Sequence, residues 1–164
     1  MDFNPKVSII IRTLNEANYL KPLFQMIQLQ SYNNYEIIVV DSGSLDGTLD
    51  IAYEYSDRVL KITQEDFTFG FAINYGIKNS SGDLACILSA HTKPLDKNWL
   101  KELVSAFGNN GLRNGIAMSY GKQIGHLNSN FSEIVDFSKF FGSDELIQSR
   151  PDYYCNNANA IIRK

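Results

Sequence analysis

The chain has 164 residues, 44% hydrophobic and 20% charged, with a formal net charge of −3. That length suits one domain able to bury roughly 70% of its unfolded surface. The slight acidity gives no basic field for nucleic acid, no apolar run approaches the ~20 residues of a membrane span, and the N-terminus lacks a signal-peptide pattern.

Cys86 and Cys155 stand far apart with no metal or redox spacing. This fits a reducing, cytoplasmic setting. Peripheral contact with the inner face of a membrane stays open.

Lys6 to Arg12 (KVSIIIR) is β-branched without a polar break and predicts a central strand buried on both faces. Thr13-Leu14-Asn15-Glu16 follows as a turn, with the Glu suited to a helix's first turn. Leu20, Leu23, Phe24 and Ile27, continued by Gln28, keep helical spacing. Pro22 is compatible only with the first turn of that helix. The helix ends before Ser31-Tyr32-Asn33-Asn34, and Tyr35 to Val40 (YEIIVV) is the second strand.

Asp41-Ser42-Gly43-Ser44-Leu45-Asp46-Gly47-Thr48 forms the polar end of that strand. Glycine lets a backbone approach a ligand closely, and the helix predicted over 49–55 would aim its first N–H groups at the loop. Ser44 or Asp46 can equally cap that helix with no ligand involved. Carboxylates only accept hydrogen bonds, so the loop suits hydroxyls and base N–H groups better than bare phosphate. It has neither dinucleotide-fingerprint nor P-loop spacing, which argues against a dehydrogenase. A nucleotidyltransferase would need a glycine- and lysine-rich loop after the first strand, and Thr13 to Ala17 offers none.

Arg58 to Ile62 is a third short strand. Phe67 to Gly70 leads into Ala72, Ile73, Gly76 and Ile77 at helical spacing, and the small residues let this helix lie close to the sheet. Asn74 either turns toward the strand ends or sits on the surface. Leu84 to Leu88 is an apolar run of strand length that ends in Ser89-Ala90-His91-Thr92-Lys93-Pro94. Pro94 stops the strand from continuing. Taken alone, this end is equally a polar turn with an exposed His.

Trp99, Leu100, Leu103, Val104 and Phe107 form one face of a further helix, closed by Gly108. Gly115 to Gln123 reads as a strand, Phe131 to Phe141 as a helix or covering loop, and Tyr153 to Arg163 as a strand or strand edge. The alternation of strands and helices through residue 108 calls for a largely parallel sheet. Three polar strand ends, 12–16, 41–48 and 89–93, then cluster at one edge, where open α/β sheets bind ligands.

Four motifs, in order and nearly spanning the chain, resemble family 2 glycosyltransferases. Val7-Ser8-Ile9-Ile10-Ile11-Arg12-Thr13-Leu14-Asn15-Glu16 is similar to the family's VSVIIPTYNE opening. Val39-Val40-Asp41-Ser42-Gly43-Ser44-Leu45-Asp46-Gly47-Thr48 resembles VVDDGSTDGT. Asn74-Tyr75-Gly76-Ile77 with Ser81-Gly82-Asp83 resembles the N-x-G…A-x-G-D/E stretch, and Cys155 to Lys164 the G-G/S-N-x-A-x-R-R strand.

The resemblance implies a GT-A fold, a Rossmann-like α/β/α sandwich. It implies inverting transfer of a sugar from a nucleotide-sugar donor, of UDP type, to a glycan or lipid-linked acceptor in surface polysaccharide biosynthesis. It places Thr13, Asn15 and Glu16 near the nucleoside and Asp41, Ser42, Gly43 and Ser44 near base and ribose, and it adds Asn74 to the donor site. It places Ser89, Ala90 and His91 at the metal-gripping DxD motif.

Three departures matter. Arg12 replaces a usual proline, Ser42 an Asp that reads the base, and Ser-Ala-His the DxD. Polypeptide N-acetylgalactosaminyltransferases use a DxH variant, and imidazole suits Mn²⁺ better than Mg²⁺. Either His91 binds the cation at the diphosphate, or the site is metal-independent and Lys93 or Arg12 neutralises the charge.

The family's general base lies in an E-D motif after the N-x-A-x-R-R strand, and Asp136, Asp144, Glu145 and Asp152 all precede that position. They read as surface residues. Residues 1–164 are therefore expected to be one donor-binding domain, C-terminally truncated, with the base beyond Lys164 and little transfer activity. A non-catalytic nucleotide-sugar binding module is the alternative. The aromatic stretch Phe131 to Phe141 is a candidate homodimer contact or acceptor-site cover.

Overall fold

The structure is a computed structural model that describes residues 3–108, 115–125, 131–141, 144–149 and 157–164. The β-branched opening forms β1 (Val7–Thr13), followed by α1 (Ala17–Gln28), β2 (Tyr35–Asp41), α2 (Thr48–Tyr55) and β3 (Arg58–Lys61). Then come α3 (Phe69–Lys78), β4 (Leu84–Ser89), α4 (Trp99–Ser105), β5 (Met118–Tyr120), α5 (Phe131–Phe140) and β6 (Asn159–Arg163). The strands form one sheet in the order β3-β2-β1-β4-β6-β5. β1 pairs in parallel with β2 and β4, and β2 with β3. β6 runs antiparallel to β4 and to β5.

Side chains alternate across β1, so both of its faces are covered. Ile9 and Ile11 join Leu20, Leu23, Phe24 and Ile27 of α1 and Leu100 of α4 in the larger core. Ile10 meets Val40, Ala72 and Ala85 on the face covered by α3. Each such aliphatic side chain contributes about 1.5–3 kcal/mol by leaving water. Gly76 is what lets α3 come this close: a Cβ there would stand 2.6 Å from Ile10 Cγ2 and 3.2 Å from Val40 Cγ2. Cys86 is fully buried in β4, and burial pushes its thiol pKa up.

A polar knot ties the amino ends of the strands together. Glu36 accepts from Ser8 Oγ and the Ser81 amide, each at 2.6 Å, from Ser81 Oγ at 2.9 Å and from Lys6 Nζ at 3.3 Å. Ser8 Oγ in turn accepts the Gly82 amide at 2.8 Å. Neither Ser8 nor Glu36 stood out in the sequence, because a single Ser in a strand and a Glu at a strand start carry no pattern.

Several boundaries differ from expectation. Pro22 lies inside α1, a full turn beyond its start. Its missing N–H would have met the Asn18 carbonyl; both residues are exposed, so water can serve that carbonyl. Gln28 is exposed rather than part of the apolar face, and the buried amide is Gln30. The expected strand over 115–123 is paired only at Met118–Tyr120. Phe131–Phe140 is helical, with Phe140 exposed and Phe141 buried against Phe137 and Tyr120. β6 begins at Asn159; residues 153–156, with Cys155, lie outside the described residues.

Candidate functional site

The parallel order β2-β1-β4 sets three polar strand ends side by side. Thr13 is the register partner of Asp41, and Arg12 is the partner of both Val40 and Ser89.

The Asp41 carboxylate is 1% exposed and fully used. One oxygen accepts the amides of Gly43 at 2.9 Å and Ser44 at 3.0 Å; the other accepts the hydroxyls of Thr13 at 3.0 Å and Ser44 at 2.5 Å. Four donors are enough to keep a buried carboxylate satisfied. The buried Ser42 hydroxyl donates to the Thr13 carbonyl at 3.1 Å. Gly43 and Gly47 have φ of 101° and 92°, which only glycine adopts without strain.

The same loop builds the start of α1. Three consecutive amides, of Asn15, Glu16 and Ala17, donate to Ser44 Oγ at 2.8 Å, Thr48 Oγ1 at 2.7 Å and Asp46 Oδ2 at 3.1 Å. Asn15, itself in the left-handed region at φ 57°, returns a bond by accepting the Leu45 amide at 2.8 Å. The N-cap of α2 is Gly47, not Ser44 or Asp46. Asp46 nevertheless accepts the Thr48 amide at 3.1 Å, and the Thr48 hydroxyl bond leads the set that holds its carboxyl below the usual range. The side chains of Thr13, Asp41, Ser42 and Ser44 thus hold the two loops to each other, while Gly43 and Asn15 are exposed at the rim.

Glu16 is the N-cap residue of α1, but its side chain makes no capping bond. It reaches across to the turn after β4, where its Oε2 lies 2.5 Å from His91 Nε2. The ring of Tyr19 packs on that imidazole, with centroids 4.7 Å apart. His91 is exposed, Ala90 is buried, and the Ser89 amide donates to the Ala158 carbonyl at 3.0 Å. Lys93 is exposed just beyond. Asn74 sits on the exposed side of α3, and among the described residues no hydrogen bond ties it to the strand ends.

Arg12 leaves β1 on the α3 face. Its guanidinium lies 4.8 Å over the Phe69 ring, at the start of α3. Its Nε and Nη1 are buried, and among the described residues neither has a hydrogen-bond partner. Burial lowers its pKa from the ordinary value. A guanidinium remains charged even so, and two unpaired buried donors on a cation call for an anion.

A matching family model, Glycosyl transferase family 2, covers residues 8–158. The chain belongs to glycosyltransferase family 2. An uncharacterized glycosyltransferase of Rickettsia typhi is 44% identical over 87 residues, 53% of this chain and 27% of that protein. Glycosyltransferase AglE of Haloferax volcanii is 37% identical over 114 residues, 66% of this chain and 37% of that one. The matches thus span only about a quarter to two fifths of these relatives' length. A Pyrobaculum calidifontis mannosyltransferase solved with GDP-Man and Mn²⁺ superposes with a TM-score of 0.63 at 22% identity, over 74% of this chain and 36% of that one. The fold is GT-A, as the resemblance of the motifs implied.

The family raises the question of a cation. Among the described residues no group of three or more His, Cys, Asp and Glu converges on one point. Among the described residues, only the Glu16–His91 pair brings a carboxylate and an imidazole together at the strand ends. One nitrogen and one oxygen fit a borderline divalent ion that takes its remaining ligands from water or phosphate oxygens.

Two other features lie outside this cluster. A groove of about 390 Å³ opens beyond β3, lined by Lys61, Ile62, Thr63, Asp66, Phe71 and Tyr75. Asp136, Asp144 and Glu145 are exposed, and Asp152 lies outside the described residues. No helix among the described residues is long and apolar enough to cross a membrane.

Proposed function

We propose that this chain binds the donor of an inverting, nucleotide-sugar-dependent glycosyltransferase at the ends of β1, β2 and β4. The observation that carries this reading is Arg12, a residue registered with Ser89 of β4, whose buried guanidinium N–H groups lie over Phe69 and have no partner among the described residues. A diphosphate brings the oxygens that such a guanidinium lacks.

Each predicted site residue then has a part. Arg12, Lys93 and the Ser89-Ala90-His91 end face the diphosphate. Asn15, Glu16 and Gly43 border the nucleoside. Thr13, Asp41, Ser42 and Ser44 act beneath them by fixing the two loops. Asn74, exposed on α3, has the weakest support. When bound, a divalent cation held by His91, Mn²⁺ in preference to Mg²⁺, would neutralise charge on the departing diphosphate.

In the transfer itself an acceptor hydroxyl oxygen bonds to the anomeric carbon as the bond to the diphosphate breaks, and the hydroxyl proton passes to a general base. Donor binding is the part carried by the residues described above. We read the donor as a UDP-sugar and the acceptor as a glycan or lipid-linked glycan of surface polysaccharide assembly. The exposed apolar side chains Leu14, Tyr19 and Leu45 at the rim are compatible with a lipid-linked acceptor or peripheral membrane contact.

A thermal-shift panel of UDP, GDP, dTDP and CMP, each with and without Mn²⁺, tests the reading. A ligand at about 100 times its Kd stabilises by roughly 2.7 kcal/mol. For a chain of this size that raises Tm by about 5–10 °C. A shift with UDP supports the proposal, a shift with another nucleotide corrects the base, and no shift with any of them counts against donor binding.

A further inference from the structure

We propose that Glu16 is a second protein ligand, beside His91, for the divalent cation of the donor site. This rests on the reading above that such a cation binds there.

An N-cap residue usually commits its side chain to the helix's free amides. Glu16 makes no such side-chain bond: the Tyr19 amide donates to its backbone carbonyl instead, and its own amide and those of Asn15 and Ala17 are held by Thr48, Ser44 and Asp46. Its backbone is fixed while its carboxylate is free to leave the helix and cross to the turn after β4. The Tyr19 ring, one turn further along α1, also packs on the His91 imidazole. The two donor atoms therefore meet at a point set by two different elements rather than by chance contact of long surface side chains.

Their spacing is close to that of neighbouring ligands on one ion. Two adjacent ligands of an octahedral ion, each about 2.1 Å from it, stand roughly 3.0 Å apart. The pair at 2.5 Å needs to open by only about half an ångström, within reach of small side-chain rotations. A mixed nitrogen and oxygen pair also favours Mn²⁺ over Mg²⁺, for which all-oxygen sites are the rule. Two ligands alone give weak binding, which the oxygens of a diphosphate would strengthen.

The test is titration of the protein with Mn²⁺ alone, following free Mn²⁺ by electron paramagnetic resonance into the millimolar range. Four proteins are compared: wild type, Glu16→Gln, His91→Ala and the double variant, each checked for folding by circular dichroism. Glu16→Gln keeps the size of the side chain and all the backbone bonds around it.

The proposal expects one bound Mn²⁺ in wild type and at least a tenfold loss of affinity in Glu16→Gln. It also expects the double variant to bind at least threefold more weakly than His91→Ala. That last comparison separates a ligand from a residue that only orients His91, since orientation is worthless once the imidazole is gone. No further loss in the double variant, or Glu16→Gln within twofold of wild type, overturns the assignment and leaves the cation reading standing. No Mn²⁺ uptake by wild type, together with nucleotide shifts that ignore Mn²⁺, overturns the cation reading and Glu16 with it.

Discussion

Thr48 accepts the amide of Glu16 on its hydroxyl oxygen at 2.7 Å, so the first turn of α2 sets the first turn of α1. The same hydroxyl donates to Asp46 at 2.5 Å, and the Thr48 side chain is fully buried. Two strand-end loops, far apart in sequence, are held as one unit by this bond and its neighbours. Thr48→Val keeps the shape and removes both bonds. Leaving a buried amide without a partner costs about 1–3 kcal/mol. Thermal unfolding should therefore show Tm lower by roughly 2–12 °C at about 2–4 °C per kcal/mol. An unchanged Tm would mean that the loops do not depend on this contact.

Arg12→Met should separate stability from binding. The guanidinium is partly buried with two unpartnered donors, so replacing it with an apolar chain over Phe69 removes a desolvation cost. Unfolding midpoints should stay level or rise, while affinity for nucleoside diphosphates, read by calorimetric titration, drops at least tenfold. A variant that binds as wild type removes Arg12 from the donor site.

Gly76→Ala tests how closely α3 packs. Helix propensity alone would favour alanine by about 1 kcal/mol. The new methyl would meet Ile10 Cγ2 at 2.6 Å, and Ile10 is fully buried with nowhere to go. Overpacking of this kind costs about 1–3 kcal/mol, so sterics win and denaturant midpoints should fall. A stabilised variant would show that α3 has slack.

Glu36 links the amino ends of the strands to acid stability. Burial works against its charged form, but the bonds from Ser8, Ser81 and Lys6 outweigh it and lower the pKa from 4.5 to about 2. A carboxylate with a depressed folded pKa stabilises the fold above its unfolded value. That contribution is lost as pH falls from about 4.5 toward 2. Glu36→Gln should therefore be less stable than wild type near neutrality, with the gap closing across that acid window. Stability measured by urea unfolding at several pH values checks this; a constant gap would contradict it.

The sheet edge was legible because its causes are local. The largely β-branched run from Val7 to Ile11 marks a doubly covered strand, and the polar stops after Arg12, Val40 and Leu88 fall at equivalent strand ends. What escaped was set by partners distant in sequence. The loop 41–48 has the composition of a ligand cradle, yet Ser44, Thr48 and Asp46 serve the amides leading into α1, a fact written in no spacing. The Glu16–His91 contact joins residues 75 apart: the motifs mark His91 as a metal ligand and Glu16 as a nucleoside neighbour, and nothing in the spacing says that the two meet. Pro22 looked like a helix limit because propensity ignores whether the orphaned carbonyl faces water.

The most direct measurement is an amide and arginine side-chain NMR titration of the ¹⁵N-labelled protein with UDP and GDP in the presence of Mg²⁺. The account predicts shift changes concentrated at Leu14 to Glu16, Gly43 and Ser89 to Lys93, with a downfield move of the Arg12 Nε–H as it gains a phosphate partner. Changes confined to the groove at Lys61, Thr63, Phe71 and Tyr75, or no changes with either nucleotide, would contradict it.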